Sequence, residues 1–251
     1  MRELAPLMRP ETFWHAARVT TVRLLHGLGA DHRAFQRFER LLPEAWDVRA
    51  LDLLGHGSAP QPPSGYSLDA GADWIQQQVA ASSPVVLVGH SYGAATSVAV
   101  AARSPELVEK IVLLDPVVAL DPDRTGSGTG RMIAAKRGGT LTEVVAEMYP
   151  DASPALRAWT VETWTVMALG VVDELDPAWT RFADRVTCPV TIIHGDPEQG
   201  GSGDIAADWF DDPRVVRIAG AGHYLHATHA REVAAAVIDA VATGRPQPTS
   251  E

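Results

Sequence analysis

The sequence predicts an α/β fold, a mostly parallel central sheet with helices on both faces and a helical insertion between two core strands. Three observations carry that expectation. Short β-branched apolar runs alternate with segments of helical spacing, and glycine-rich turns separate them. The run 84–89, Pro-Val-Val-Leu-Val-Gly, is apolar at successive positions, as in a strand covered on both faces. Between about 118 and 186 the alternation stops, and helical pieces rich in Trp, Met and Ala take its place.

The first clear strand, 20–25, runs into His26-Gly27-Leu28-Gly29, and 34–42 follows with helical spacing. A second strand at 48–53 leads to Gly55-His56-Gly57. Residues 67–81 form a helical pattern with Ser67 as N-cap, because a serine oxygen can accept from an amide of the first turn. After the buried strand, 94–102 is a helix of small residues that can lie close to a sheet. Strands follow at 111–114 before Asp115-Pro116, at 190–193 before His194-Gly195, and at 215–218 before Ala219-Gly220-Ala221-Gly222-His223. A closing helix spans 232–241. The insertion opens on the loop signal Asp121-Pro122-Asp123-Arg124-Thr125-Gly126-Ser127-Gly128, and the polar tail from Thr243 is expected to fray. The domain reading is a core of 1–117 and 187–251, with an insertion of 118–186 over the carboxyl ends of the strands.

A chain of 251 residues can bury one full core. Asp+Glu number 31 against 21 Lys+Arg, a formal charge of −10 spread along the chain. Such a surface repels phosphate backbones and anionic lipid, so neither nucleic acid nor a membrane is an expected partner. Cys188 is the only cysteine, which excludes an intrachain disulfide and a thiolate metal cage. No run approaches the roughly 18 apolar residues of a bilayer span. The start, Met1-Arg2-Glu3-Leu4-Ala5-Pro6, lacks an apolar signal core. A cytoplasmic location is the expectation.

Gly89-His90-Ser91-Tyr92-Gly93 is a G-x-S-x-G pentapeptide between a strand and a helix. A nucleophilic serine needs a sharp turn that projects its hydroxyl, and glycines two residues to either side keep that turn clear of side chains. The serine also needs a base. Among nine histidines His223 is favoured, since it follows a late strand in a glycine-rich turn. His26 and His56 lie in earlier strand-end turns and are expected to shape the pocket. His90 should point away from the hydroxyl, and His194 should be structural. His223, His226 and His229 also form H-x-x-H-x-x-H, but no neighbouring carboxylate or cysteine completes a site. No metal and no cofactor are expected.

Taken together, five elements resemble the α/β-hydrolase superfamily over nearly the whole chain. They are His26-Gly27, Asp52-Leu53-Leu54-Gly55-His56-Gly57-Ser58, the pentapeptide at Ser91, Leu113-Leu114-Asp115-Pro116, and Gly220-Ala221-Gly222-His223. The resemblance implies the chain order nucleophile, acid, histidine, and makes the insertion a cap over the site. It also implies an oxyanion hole from the backbone N–H groups of Leu28 and Tyr92, two donors for a tetrahedral oxyanion. The acid departs from the family pattern. Usually a Gly-x-x-Asp follows the penultimate strand, but Gly195-Asp196-Pro197-Glu198 puts Glu198 there, with Asp196 two residues earlier. Asp115 ends the strand after the elbow helix, and some family members draw their acid from that strand end. Burial favours Asp115, because an ionised carboxylate capping 111–114 needs a partner such as a histidine N–H. Glu198 sits in a glycine-rich loop, a poor holder for an imidazole. Glu198 and Asp196 stay open as alternatives.

The insertion supplies Met148, Tyr149, Trp159, Trp164, Met167 and Trp179. Of these, Trp159, Trp164 and Met167, with His32 after the oxyanion turn, are the expected substrate contacts. Holding the insertion onto the core is the competing role for each. Leu28 and Phe35 also follow that turn and share the expectation of facing the pocket. The expected reaction is hydrolysis of a small to medium apolar carboxylic ester or lactone through an acyl-serine. Dehalogenase chemistry would need aspartate at position 91. Alternatives on the same fold are a cofactor-free perhydrolase, a C–C hydrolase, a lyase or cyclase, and a weakly catalytic ligand receptor.

Overall fold

A computed structural model describes residues 19–117, 128–174 and 179–243. The start at Met1–Pro6, the loop Asp121–Ser127 and the tail beyond Thr243 lie outside the described residues. Among the described residues six strands form one sheet: β1 (Thr21–Leu25), β2 (Asp47–Leu51), β3 (Val85–His90), β4 (Val108–Leu114), β5 (Val190–His194) and β6 (Arg214–Arg217). Their order is β2-β1-β3-β4-β5-β6, and every neighbouring pair is parallel. All carboxyl ends therefore lie along one edge.

The two central strands show why apolar residues run on without alternation. Val85 and Leu87 of β3 and Ile111 and Leu113 of β4 enter the cluster on one face. Val86 and Val88, with Val112 and Leu114, enter the cluster on the other. Successive side chains point to opposite faces, so a sheet covered twice needs both sets apolar. The first face is covered by α2 (Leu68–Val79), α3 (Tyr92–Arg103) and α8 (Thr180–Ala183). On the second lie α1 (Gln36–Glu39), α9 (Leu225–Thr228) and α10 (Ala230–Ala242). Ser67 caps α2 as expected, its side chain accepting from Ala70 N at 3.2 Å. Lys110 is a further tie that the sequence does not announce. Its ammonium leaves β4 to donate to the carbonyls of Ala240, Val241 and Thr243, satisfying acceptors that the end of α10 leaves open.

Between β4 and β5 lie α4 (Gly128–Gly138), α5 (Leu141–Met148), α6 (Pro154–Val166) and α7 (Leu169–Asp173), with α8 after them. Met132, Val145, Trp164, Met167, Val171 and Val172 form a separate apolar cluster there, joined by Tyr66 from the loop before α2. Trp179, Phe182 and Ala183 belong to the cluster beneath α2 and α3, and Trp179 Nε1 donates to Val117 O at 2.7 Å. Trp179 also stacks on Phe210 and packs the core. No helix among the described residues is long and apolar enough to cross a membrane.

The tightest approach of helix to sheet is at Gly93, where a Cβ would lie 2.2 Å from Leu25 O. The obstructing atoms are backbone and cannot swing aside. Gly93→Ala is therefore expected to lower the unfolding free energy by roughly 3 kcal/mol or to abolish folding. Gly138→Ala, where the nearest atom is Thr140 Oγ1 at 3.9 Å, should cost nothing measurable by the same urea titration. Equal midpoints for the two variants would contradict this packing.

Candidate active site

Two neighbouring strands end in the same unusual way. Ser91 leaves β3 with φ 52° and ψ −112°, and Asp115 leaves β4 with φ 46°. Left-handed backbone at a serine costs of order 1–3 kcal/mol, while aspartate tolerates it better. Both turns are held by the sheet itself: Ser91 N donates to Leu114 O at 3.0 Å, and Asp115 N to Ile193 O at 2.8 Å. A Cβ on Gly89 would come within 2.3 Å of Gly93 O, so the two glycines let the chain fold back on itself around Ser91. Tyr92 is the first residue of α3, and an N–H there points out of the helix end.

Asp115 has no solvent exposure. Its Oδ2 lies 2.6 Å from His223 Nδ1, and its oxygens accept from Gly195 N at 2.9 Å and Ser202 N at 2.9 and 3.0 Å. Burial pushes its carboxyl up, but these donors outweigh it and hold the pKa below the ordinary carboxylate value. Ser202 is absent from the expected site. The signal for it is Gly200-Gly201, which lets the loop fold against Gly195: a Cβ on Gly201 would sit 2.5 Å from Gly195 C. Asp196 and Glu198 do not meet His223. Asp196 takes Arg217 Nε at 2.5 Å and Gly220 N at 2.8 Å, which hold it down at about 2, and Glu198 is exposed. Asp196 thus pins the loop that carries His223 and does not touch its ring.

Two histidines fix the loop after β1. His26 Nε2 accepts from Leu53 N at 3.1 Å, so its proton is on Nδ1, which donates to Gly27 O at 2.8 Å. His56 Nε2 accepts from Gly29 N at 3.2 Å, and its Nδ1–H donates to Leu54 O at 3.1 Å. The pair clamps residues 26–29, Leu28 included, against the loop after β2. His194 donates to Gly195 O at 2.9 Å and is buried. Of the three-step histidines, His226 is buried against Phe35 and His90, and His229 meets Thr228 Oγ1 at 3.0 Å.

The expected substrate contacts divide into two groups. Leu28, Met148 and Tyr149 pack against the cluster that contains Trp164 and Met167, and a Cβ on Gly29 would lie 3.0 Å from Trp164 Nε1. Tyr149 OH in turn lies 3.4 Å from Tyr224 OH, beside His223. His32 and Trp159 each bond a carboxylate. His32 bonds Asp52 Oδ1 through both its amide, at 2.7 Å, and its Nδ1, at 2.9 Å. Burial raises the Asp52 carboxyl, yet the donors of Ser58 and His32 prevail and bring it to about 2. Trp159 Nε1 donates to Asp31 Oδ1 at 3.3 Å, next to an Arg33–Glu162 ion pair that ties the loop to α6. Phe35 is wholly buried against Phe38 and His226, so it packs the core and does not face a pocket.

Burial pushes the pKa values of His26, His56, His90 and His226 down, and His56 and His226 reach about 3. The unfolded chain protonates these rings near pH ~6.5, whereas the folded chain resists. Stability is therefore complete above about 6.5 and falls as pH drops below it, for His56 and His226 by roughly 1.4 kcal/mol per unit each down toward about 3, with His26 and His90 acting in the same direction. Urea titrations at two pH values one unit to either side of that point should differ by several kcal/mol. His226→Phe should make the slope shallower, because His226 Nδ1 is buried with no partner to lose. A flat profile would contradict four buried neutral rings.

The alpha/beta hydrolase family profile matches residues 24–236. Lipase LipV of Mycobacterium tuberculosis (strain ATCC 25618 / H37Rv) is 38% identical over 121 residues, 47% of this chain and 44% of the lipase. The chain thus spans less than half the length of that curated relative. A 2-(acetamidomethylene)succinate hydrolase of Mesorhizobium japonicum is 29% identical over 234 residues, 80% of each chain. The solved structure of a bromoperoxidase from Bacillus anthracis superposes with a TM-score of 0.74 at 22% identity, covering 90% of this chain and 92% of that one. A profile match over most of the chain, on a parallel sheet with its serine at a strand-end elbow, makes this protein a member of the alpha/beta hydrolase family.

Proposed function

We propose that the protein is a serine hydrolase that cleaves a small to medium apolar carboxylic ester or lactone, with Ser91 as nucleophile, His223 as base and Asp115 as acid. One observation carries the reading: the 2.6 Å contact of His223 Nδ1 with buried Asp115, at the strand end beside Ser91. A proton held on Nδ1 leaves the Nε2 lone pair to act as base. No hydrogen bond joins Ser91 Oγ to His223 among the described residues. In the proposed reaction it forms with substrate in place, since such bonds often tighten only then.

His223 Nε2 takes the hydroxyl proton as Ser91 Oγ attacks the carbonyl carbon, and the amides of Leu28 and Tyr92 receive the oxyanion. Collapse of the tetrahedral species expels an alkoxide, which takes the proton back from His223. Water then repeats the sequence on the acyl-serine and releases the acid. Asp115 stays ionised and supports the imidazolium, consistent with its lowered pKa. Apolar character rests on the cluster of Leu28, Met148, Tyr149, Trp164 and Met167. The relatives named as a lipase and a hydrolase support hydrolysis as the reaction class. Neither cofactor nor nucleic acid nor membrane has a part in it.

The test is a panel of p-nitrophenyl esters and lactones of graded chain length. Wild type should turn over the shorter apolar members, and Ser91→Ala should lose roughly 10⁴-fold or more of kcat while staying folded. Phenylmethylsulfonyl fluoride should label Ser91 in mass spectra, and a chelator should leave the rate unchanged. An adduct elsewhere, or full activity in Ser91→Ala, would remove the acyl-enzyme mechanism.

A further inference from the structure

His90 is the residue before Ser91, yet its ring serves the opposite side of the site. It is 3% exposed and closes β3, with Leu114 beside it in register. Its Nε2 lies 2.9 Å from the backbone oxygen of His223. A carbonyl can only accept, so the His90 proton sits on Nε2 and is donated to the main chain of the base. The ring also packs against the rings of His223 at 4.7 Å and His226 at 4.4 Å. On its other edge, a Cβ on Gly27 would come within 2.9 Å of His90 Nδ1. One buried imidazole thus touches the loop before Leu28, the loop of His223 and helix α9, while its own backbone leads into Ser91. The His223 loop has a second anchor, through Asp196 N to Ala221 O at 2.7 Å and Gly220 N to Asp196 Oδ2 at 2.8 Å. Those bonds hold its early part. The His90 bond falls on residue 223 itself.

We infer that His90 is the positioning residue of the base: its Nε2–H, donated to the His223 carbonyl, fixes the peptide so that one ring nitrogen meets Asp115 while the other faces Ser91. The inference rests on the roles of Ser91 and His223 given above. It extends them by giving the pentapeptide's second residue a part in holding the base, beyond filling space. Freed of that bond, the peptide at 223 can rotate and carry Nδ1 off a carboxylate that is itself rigidly held. Misplacement of a reacting group by about 1 Å is enough to cost roughly 100-fold in rate.

Two substitutions separate the donor from the packing. His90→Gln keeps an N–H close to the position of Nε2, whereas His90→Phe keeps a ring and removes the donor. With p-nitrophenyl ester, His90→Phe should lower kcat between about 10- and 100-fold with KM little changed, and His90→Gln should restore most of that loss. The downfield proton resonance of the His223–Asp115 hydrogen bond should persist in wild type and His90→Gln and vanish or broaden in His90→Phe. His90→Met takes the place of the phenylalanine variant if that variant does not fold. Wild-type kcat and an intact resonance in the donorless variant would overturn the assignment. So would equal impairment of folded glutamine and phenylalanine variants, since packing alone would then explain both. The resonance needs no turnover. It therefore decides the role of His90 even if Ser91→Ala retains activity and the hydrolase reading fails.

Discussion

Asp115 carries a carboxylate into the interior at the edge of a parallel sheet, and much of the surrounding structure answers the need to satisfy it. An unpaired buried charge is costly enough that such a group is either protonated or surrounded by donors. Here the donors are Gly195 N, Ser202 N and His223 Nδ1. Each comes from a different stretch of chain. Gly195 follows β5, the strand paired with β4; Ser202 requires the next loop to double back; His223 requires the loop after β6 to reach across β5. The glycines at 195, 200, 201, 220 and 222 are concentrated in those segments. The nearby acid acts on the backbone instead, where Asp196 fastens the His223 loop through Gly220 N and the Arg217 guanidinium. Two carboxylates near one histidine are thus divided between orienting the ring and anchoring its main chain.

The turn after β1 is held by two neutral imidazoles. His26 and His56 each accept from one amide and donate to one carbonyl, so a single tautomer of each locks the turn that presents Leu28. Ion pairs of Arg33 with Asp31 and with Glu162 tie the same loop to α6. Leu28 itself faces the apolar cluster of α4–α7. A dry environment over the amides is what strengthens a backbone donor pair toward developing negative charge.

The parallel sheet with helices on both faces and the strand-to-helix turn at Ser91 were legible for physical reasons. A strand buried on both faces must be apolar throughout, and β3 and β4 are; the turn at Ser91 tolerates no Cβ at 89 or 93. Asp115 could be preferred because capping a buried strand with a charge demands a partner. Less legible was whatever depends on long-range backbone contact. The amide of Ser202 and the carbonyl of His223 that His90 meets leave little residue-type signature, since any residue but proline supplies a backbone N–H and every residue a C=O. Trp179 and Phe182 share the composition of the helices before them, so composition does not reveal their place under α3. Only their packing under α3 assigns them to the core. His32 and Trp159 bond the carboxylates of Asp52 and Asp31, contacts that sequence pattern does not announce.

The most direct measurement is the turnover of Asp115→Asn beside Asp196→Asn and Glu198→Gln, each checked for folding. If Asp115 orients the base, its amide presents the wrong group to Nδ1, and kcat should fall by about 10⁴-fold. Glu198→Gln should keep most of its rate, and Asp196→Asn should lose far less than Asp115→Asn. A folded Asp115→Asn variant with near wild-type kcat, or an Asp196→Asn or Glu198→Gln variant that is the inactive one, would contradict the assignment of the buried strand-end carboxylate.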